Sequence, residues 1–237
     1  MRPSEEMYIN GYIRSKFDKN QTLDKLLSTL NECYQGKDLK DGFEFKTKYP
    51  NTFDLRPTVY EYDDVFVDIL IDNHVDQLLH EATQKDLCLT HIQLRKAMQG
   101  HSYMDWHRDT YFNNGKLIGP LPPSYKIIFY PLHGRNPEPR LKILKGSAKC
   151  MNLGSMPNIN LDQELLRLMQ TDIFNSSDDE FILFDTSSMH GALVEEDEKG
   201  SFRLIYTFTP REQFTLKYES MPEHIGVSSI FDSKRNI

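Results

Sequence analysis

The sequence predicts an α+β protein with an antiparallel core of double-stranded β-helix (jelly-roll, cupin-like) form, flanked by helices mainly from its N-terminal third. Three observations predict it. Apolar residues at helical spacing are confined mostly to the first 85 residues. From residue 88 the pattern changes to short runs rich in Ile, Phe, Tyr and Leu, bounded by Pro, Gly, Asn and Asp. Helices first and many short strands afterwards is the order expected of an α+β layout, not of alternating βαβ units.

Residues 1–20 are polar and read as a loose arm. The segment TLDKLLSTLNECY (22–34) places Leu23, Leu26, Leu27 and Leu30 on one helical face, and Gly36 follows as a C-cap. Residues 37–60, with Pro50 and Pro57, read as loops and short extended pieces. The segment 62–84 predicts a helix or helix pair, with Asp63 and Asp64 where a helix start favours negative charge. CLTHIQLRKAM (88–98) alternates with the period of a half-buried strand. KIIFYPL (126–132), RLKIL (140–144), EFILFD (180–185) and FRLIYTFTP (202–210) are further strands, with a helix expected over 161–171. The expected organisation is one domain over 1–237: a largely helical cover (1–85), the jelly-roll core (86–210) and a C-terminal wrap (211–237).

With 237 residues, 38% of them hydrophobic, the chain has enough apolar material for one buried core. A net charge of -7 lacks the basic footprint of a nucleic-acid binder and favours a small-molecule partner. Cys33, Cys88 and Cys150 are odd in number and widely spaced, which argues against a disulfide framework or a thiolate zinc site and suits a reducing cytoplasm. No run is apolar for long enough to be a membrane helix or a signal peptide.

The chemistry is concentrated in HSYMDWHRDTYF (101–112). Residues i and i+2 of a strand share a face, so His107 and Asp109 can present an imidazole and a carboxylate to one metal ion. A second histidine must come from a distant strand, and His190, just after EFILFDTSSM, is the candidate. Two His and one carboxylate form the facial triad of non-haem iron(II) oxygenases, which leaves open positions for a co-substrate and O₂. The co-substrate of such an enzyme, 2-oxoglutarate, needs a cation for its far carboxylate. Arg203 lies thirteen residues after His190; if the strand following His190 runs back antiparallel, its planar fork enters the same cavity. Lys126 is the second candidate for that carboxylate. Gln93, on the same alternating face as His91 and Arg95, is a candidate co-substrate contact.

Other residues have plainer readings. His101 and His133 fit turns, and His74 and His80 fit an exposed helix surface. Trp106, the only tryptophan, reads as core packing. The Gly- and Pro-rich loop 111–124 reads equally as a lid or a connector, and the acidic loop 195–200 as solvated.

WHRD (106–109), KIIFYPL, LKILKGSAK (141–149), DEFILFDTSSMHGA (179–192) and FRLIYTF together resemble the phytanoyl-CoA dioxygenase-like branch of the iron(II)/2-oxoglutarate oxygenases. The resemblance spans residues 90–210. It implies His107, Asp109 and His190 as iron ligands, Arg203 on the far carboxylate, and oxidation of a substrate C–H bond coupled to release of succinate and CO₂. Ala148 stands where that family usually has His in the Gly-Ser-His turn. Asp109 is a carboxylate, which argues against a halogenating variant that vacates this ligand position. Two rival readings stay open: the same chemistry on a protein or nucleic-acid side chain, and a catalytically silent jelly-roll serving as a binding module.

Overall fold

The computed structural model describes residues 1–35, 44–46, 52–55, 63–97, 106–109, 112–113, 116–117, 124–131, 140–149, 167–175, 177–193, 201–218 and 221–235. The N-terminus is not a loose arm. It forms helix α1 (Pro3–Asn10) and strand β1 (Tyr12–Lys16). Pro at the start of α1 suits the first turn, where its missing N–H has no helical partner anyway. The helix stops at Gly11, whose φ of 82° is left-handed and whose N–H donates to the Met7 carbonyl at 2.9 Å. Tyr12, Ile13 and Phe17 then turn inward and are buried.

Helix α2 (Gln21–Gln35) matches its predicted span, and Leu23, Leu26 and Leu30 are buried. The Asn20 side-chain oxygen accepts from the Leu23 N–H at 3.0 Å and so caps its start. The predicted helix pair is α3 (Val65–Asp72) and α4 (Val75–Thr83), broken at His74, whose φ is 50°. Asp63 Oδ1 accepts from the Val65 N–H at 2.9 Å. His74 and His80 are exposed, as expected.

The strands follow as β2 (Glu44–Lys46), β3 (Thr52–Leu55), β4 (Leu87–Ala97), β5 (Phe112–Asn113), β6 (Lys116–Leu117), β7 (Tyr125–Phe129), β8 (Arg140–Leu144), β9 (Thr171–Phe174), β10 (Glu180–Asp185), β11 (His190–Leu193) and β12 (Ser201–Pro210). The helix expected over 161–171 is described only at its end. Arg167 and Leu168 are helical, and Thr171 already begins β9. The segment 111–124 is described only as the two-residue pair β5–β6 and Ser124. Gly36, Cys150, His101, His133 and the acidic loop 195–200 lie outside the described residues.

A seven-stranded sheet runs in the order β1-β10-β7-β12-β4-β3-β2, and a three-stranded sheet in the order β11-β8-β9. All neighbours within them are antiparallel. Alternation along each strand divides the interior into two layers. Leu204, Tyr206 and Phe208 of β12 join Leu26, Leu30, Phe66 and Ile69 beneath the helices. Ile205, Ile128 and Phe184 point the other way and pack on Leu141, Ile143 and Phe174 of the three-stranded sheet. Each such buried Leu, Ile or Phe contributes roughly 1.5–3 kcal/mol.

The C-terminal segment forms helices α5 (Arg211–Tyr218) and α6 (Pro222–Arg235). Val227 and Phe231 of α6 enter the helix-side layer, and Arg211 ties the segment down by pairing with Asp86 and Asp232. No helix among the described residues is long and apolar enough to cross a membrane.

Candidate metal centre

The site begins with one short extended segment, Trp106–Asp109, laid against β11. The His107 N–H donates to the His190 carbonyl and the His190 N–H to the His107 carbonyl, each at 2.9 Å. This reciprocal pair sets the two histidines side by side. Two residues on, the Asp109 N–H donates to the Thr186 carbonyl at 3.0 Å. The i, i+2 geometry then aims the Asp109 carboxylate at the same point as the imidazoles. His107 Nε2 lies 3.5 Å from Asp109 Oδ1, and His190 Nε2 lies 3.6 Å from Oδ2. One donor atom from each of the three residues falls within 4.8 Å of the others, the one such group of three among the described residues.

The tautomer of His190 is set by its surroundings. Its Nδ1 sits 2.8 Å from the Ser188 carbonyl, which can only accept. The ring proton therefore belongs on Nδ1, and Nε2 is left with a lone pair facing Asp109. Orientation of a ligand histidine through its other nitrogen is usual at metal sites. Burial pushes the His190 pKa down, against the opposing pull of Asp109, and so favours this neutral form. The Phe184 ring packs on His190 at 4.8 Å and fixes its tilt.

Asp109 is held ionised. Burial alone would raise its pKa, but the neighbouring Lys126 charge outweighs it and keeps the carboxyl well below its ordinary value. Lys126 Nζ lies 2.5 Å from Asp109 Oδ2. Two imidazoles and one carboxylate, two of them from the 106–109 segment and one from β11, fit a divalent metal that prefers mixed nitrogen and oxygen donors. The described residues alone would supply half of an octahedral shell.

Supports hidden in the sequence surround the triad. Arg108 Nη1 donates to the Ser147 carbonyl at 2.9 Å and also to the Ser187 carbonyl. It joins the His107 segment to two turns at once. The Lys145–Ala148 turn braces the site. Gly146 adopts φ 75°, and its N–H donates to the Asn10 carbonyl at 2.8 Å. Ser147 is fully buried, and its Oγ accepts from the Met189 N–H at 2.8 Å, next to His190.

The remaining candidates lie on the inner face of the large sheet. Arg203 does not come from a strand paired back on β11. It stands on β12, in the opposite sheet, and faces inward with Ile205. It is buried, its Cα partner on β4 is Arg95, and its Nη1 donates to the Tyr130 hydroxyl at 3.2 Å. Burial holds the Tyr130 phenol above its usual pKa, with Arg95 acting against it. Gln93 is buried one pleat from Arg95, opposite Ile205. Sequence reasoning missed Tyr130 and the Arg95–Arg203 pairing, since only the register reveals them. Lys126 is not beside Arg203: the two belong to opposite ends of this face. His91 packs against His224 at 4.3 Å and Tyr218 at 5.8 Å, under the C-terminal helices. Trp106 is half-buried rather than a core residue, with Lys142 Nζ 4.6 Å from its ring centre.

The sequence matches no family model and no curated protein. Solved structures do match in fold. The non-heme alpha ketoglutarate dependent epimerase SnoN from nogalamycin biosynthesis aligns over 87% of this chain and 81% of its own, at 8% identity and a TM-score of 0.62. EctD from S. alaskensis, in its apoform, aligns over 87% of this chain and 75% of its own, at 13% identity and a TM-score of 0.67. It has also been solved with 2-oxoglutarate and 5-hydroxyectoine. HygX from Streptomyces hygroscopicus, with nickel and 2-oxoglutarate bound, aligns over 87% of both chains, at 14% identity and a TM-score of 0.59. The chain therefore has the fold of solved structures that include a non-heme alpha ketoglutarate dependent enzyme and proteins holding 2-oxoglutarate.

Proposed function

We propose that the protein is a non-haem iron(II)/2-oxoglutarate-dependent dioxygenase that oxidises a C–H bond, by hydroxylation in the simplest case, of a small-molecule substrate. The observation that carries this reading is the convergence of His107, Asp109 and His190, one donor atom from each within 4.8 Å of the others. The two facing sheets are then the halves of a double-stranded β-helix, and the chain works as one oxygenase domain: residues 1–85 supply covering helices and three strands of the large sheet, 86–210 supply the other strands of the core, and 211–237 wrap it. Within that class we read the chain as phytanoyl-CoA dioxygenase-like, a reading that rests on the sequence motifs alone.

In this reading His107, Asp109 and His190 hold iron(II). When bound, the metal couples O₂ reduction to decarboxylation of the 2-oxo acid, giving succinate and CO₂, and to substrate oxidation. The chain's own residues bind and orient. Arg203, supported by the Tyr130 hydroxyl, takes the far carboxylate of 2-oxoglutarate, and Gln93 lines the same wall. Tyr130 is four residues from Lys126, roughly 13 Å along a strand. That spacing supports a reading with Arg203 at the far end of the dicarboxylate and Lys126 at the metal end. Free, buried Cys33 and Cys88 are in keeping with a reducing cytoplasm.

The test is succinate release from 2-oxoglutarate in the presence of iron(II) and ascorbate, with metabolite pools screened for stimulation. Replacement of His107, Asp109 or His190 by Ala should each reduce turnover by at least about a hundredfold, because an incomplete triad loses the metal. Protein that neither binds a divalent metal nor changes its spectrum with 2-oxoglutarate would favour the silent binding module. Stimulation by polynucleotide or protein instead of metabolites would move the substrate class.

A further inference from the structure

The metal-ligand carboxylate has a second occupant. Lys126 Nζ lies 2.5 Å from Asp109 Oδ2, and both side chains are about three-quarters buried, at 23% and 25% exposure. The lysine comes from the opposite sheet. On β7 its Cα partners are Phe184 of β10 and Thr207 of β12. Phe184 is the ring packed on His190, so Lys126 sits in the same cross-strand row as the support of one imidazole. Arg203 and Tyr130 mark the far end of the face. The ammonium is therefore placed to act on the metal end.

Two consequences follow from simple electrostatics. Each carboxylate oxygen lies near one imidazole, Oδ1 at 3.5 Å from His107 Nε2 and Oδ2 at 3.6 Å from His190 Nε2, and the ammonium on Oδ2 leaves Oδ1 as the oxygen free for a metal. It also puts a positive charge within a few ångströms of any divalent cation entering the triad, in a half-buried setting where such repulsion is weakly screened.

Building on the proposed metal reading, we infer that Lys126 is a positioning residue for Asp109, a built-in counter-ion that restricts the carboxylate to one-oxygen binding and weakens divalent-metal affinity. It is not the anchor of the co-substrate's far carboxylate.

The test uses full-length protein stripped with a chelator and titrated with Co(II). The readout is the fluorescence of Trp106, the only tryptophan, next in sequence to His107. Lys126→Met keeps the side-chain length and removes the charge. It should bind Co(II) at least about tenfold more tightly than wild type, since a unit charge is removed close to a divalent ion. Lys126→Gln should behave alike, which covers the case in which the Met variant fails to fold. Lys126→Arg keeps the charge and should stay within about threefold of wild type. A purely packing role predicts the reverse, with Met neutral and Arg disruptive. Unchanged or weaker Co(II) binding in both neutral variants would overturn the inference. So would loss, in those variants, of the preference for 2-oxoglutarate over 2-oxobutyrate, because the lysine would then be gripping the far carboxylate. Wild-type protein that takes up no Co(II) overturns the metal reading itself, and this inference with it.

Discussion

At the scale of single residues, His190 shows how environment sets chemistry. It is 5% exposed, its Nδ1 engages the Ser188 carbonyl, and burial drives its pKa down. The folded protein thus holds a neutral imidazole that the unfolded chain would protonate from about pH 6.5 downward. Between that value and its lower folded pKa, the unfolded state binds more protons, so metal-free stability falls as pH falls. His190→Gln removes this contribution. Thermal melts of metal-free protein from pH 7.5 to 5 should show a shallower loss for the variant than for wild type. Equal slopes would mean that His190 already binds a proton in the fold. The triad itself was legible in the sequence because a strand's period of two makes His-x-Asp a one-face pair. His190 was legible because it closes a strand and turn. The lysine on Asp109 was not, since residues 126 and 109 meet only through the pairing of two sheets.

At the scale of elements, two strands were read to the residue, RLKIL as β8 and EFILFD as β10, while KIIFYPL overran the end of β7 and FRLIYTFTP began one residue after the start of β12. Strand β1 escaped because it is short, lies at a sheet edge and carries Arg14 and Lys16, as edge strands often do. Strand β9 escaped because Thr171 was assigned to the preceding helical pattern. The missed N-terminal element matters for the site. The Gly11 carbonyl accepts from the Asp185 N–H at 2.9 Å and lies 3.5 Å from Ser188 Oγ. Gly11 itself has φ 82°, and a Cβ there would meet the buried Ser188 hydroxyl. Gly11→Ala should cost about 1–2 kcal/mol from the left-handed backbone alone. It should also weaken metal binding, because Ser188 is the residue whose carbonyl orients His190. Urea unfolding together with Co(II) titration would separate the two effects. A loss of stability with no change in metal affinity would show that α1 and β1 only cap the sheet.

At the scale of the whole molecule, the proposed ligands tie together parts that are remote in sequence. His107 sits on a short segment at the margin of the small sheet, His190 on β11, and Arg203 on β12 of the large sheet. A metal and a dicarboxylate bound in sequence would therefore bridge both sheets and stabilise the fold as a unit, since neither site survives unfolding. Metal at about a hundred times its dissociation constant adds roughly 2.7 kcal/mol. For a chain of 237 residues, about 2–4 °C accompanies each kcal/mol, so the melting temperature should rise by roughly 5–10 °C. Order of addition is the sharper part of the experiment. With chelator present, 2-oxoglutarate has only Arg203 and its neighbours to hold it and should shift the melt little. With Co(II) present, both ends of the co-acid are engaged and a second rise should appear. That second rise should be absent in Arg203→Gln. If 2-oxoglutarate raised the melting temperature equally with and without metal, the inner face would be an anion site unconnected to the triad.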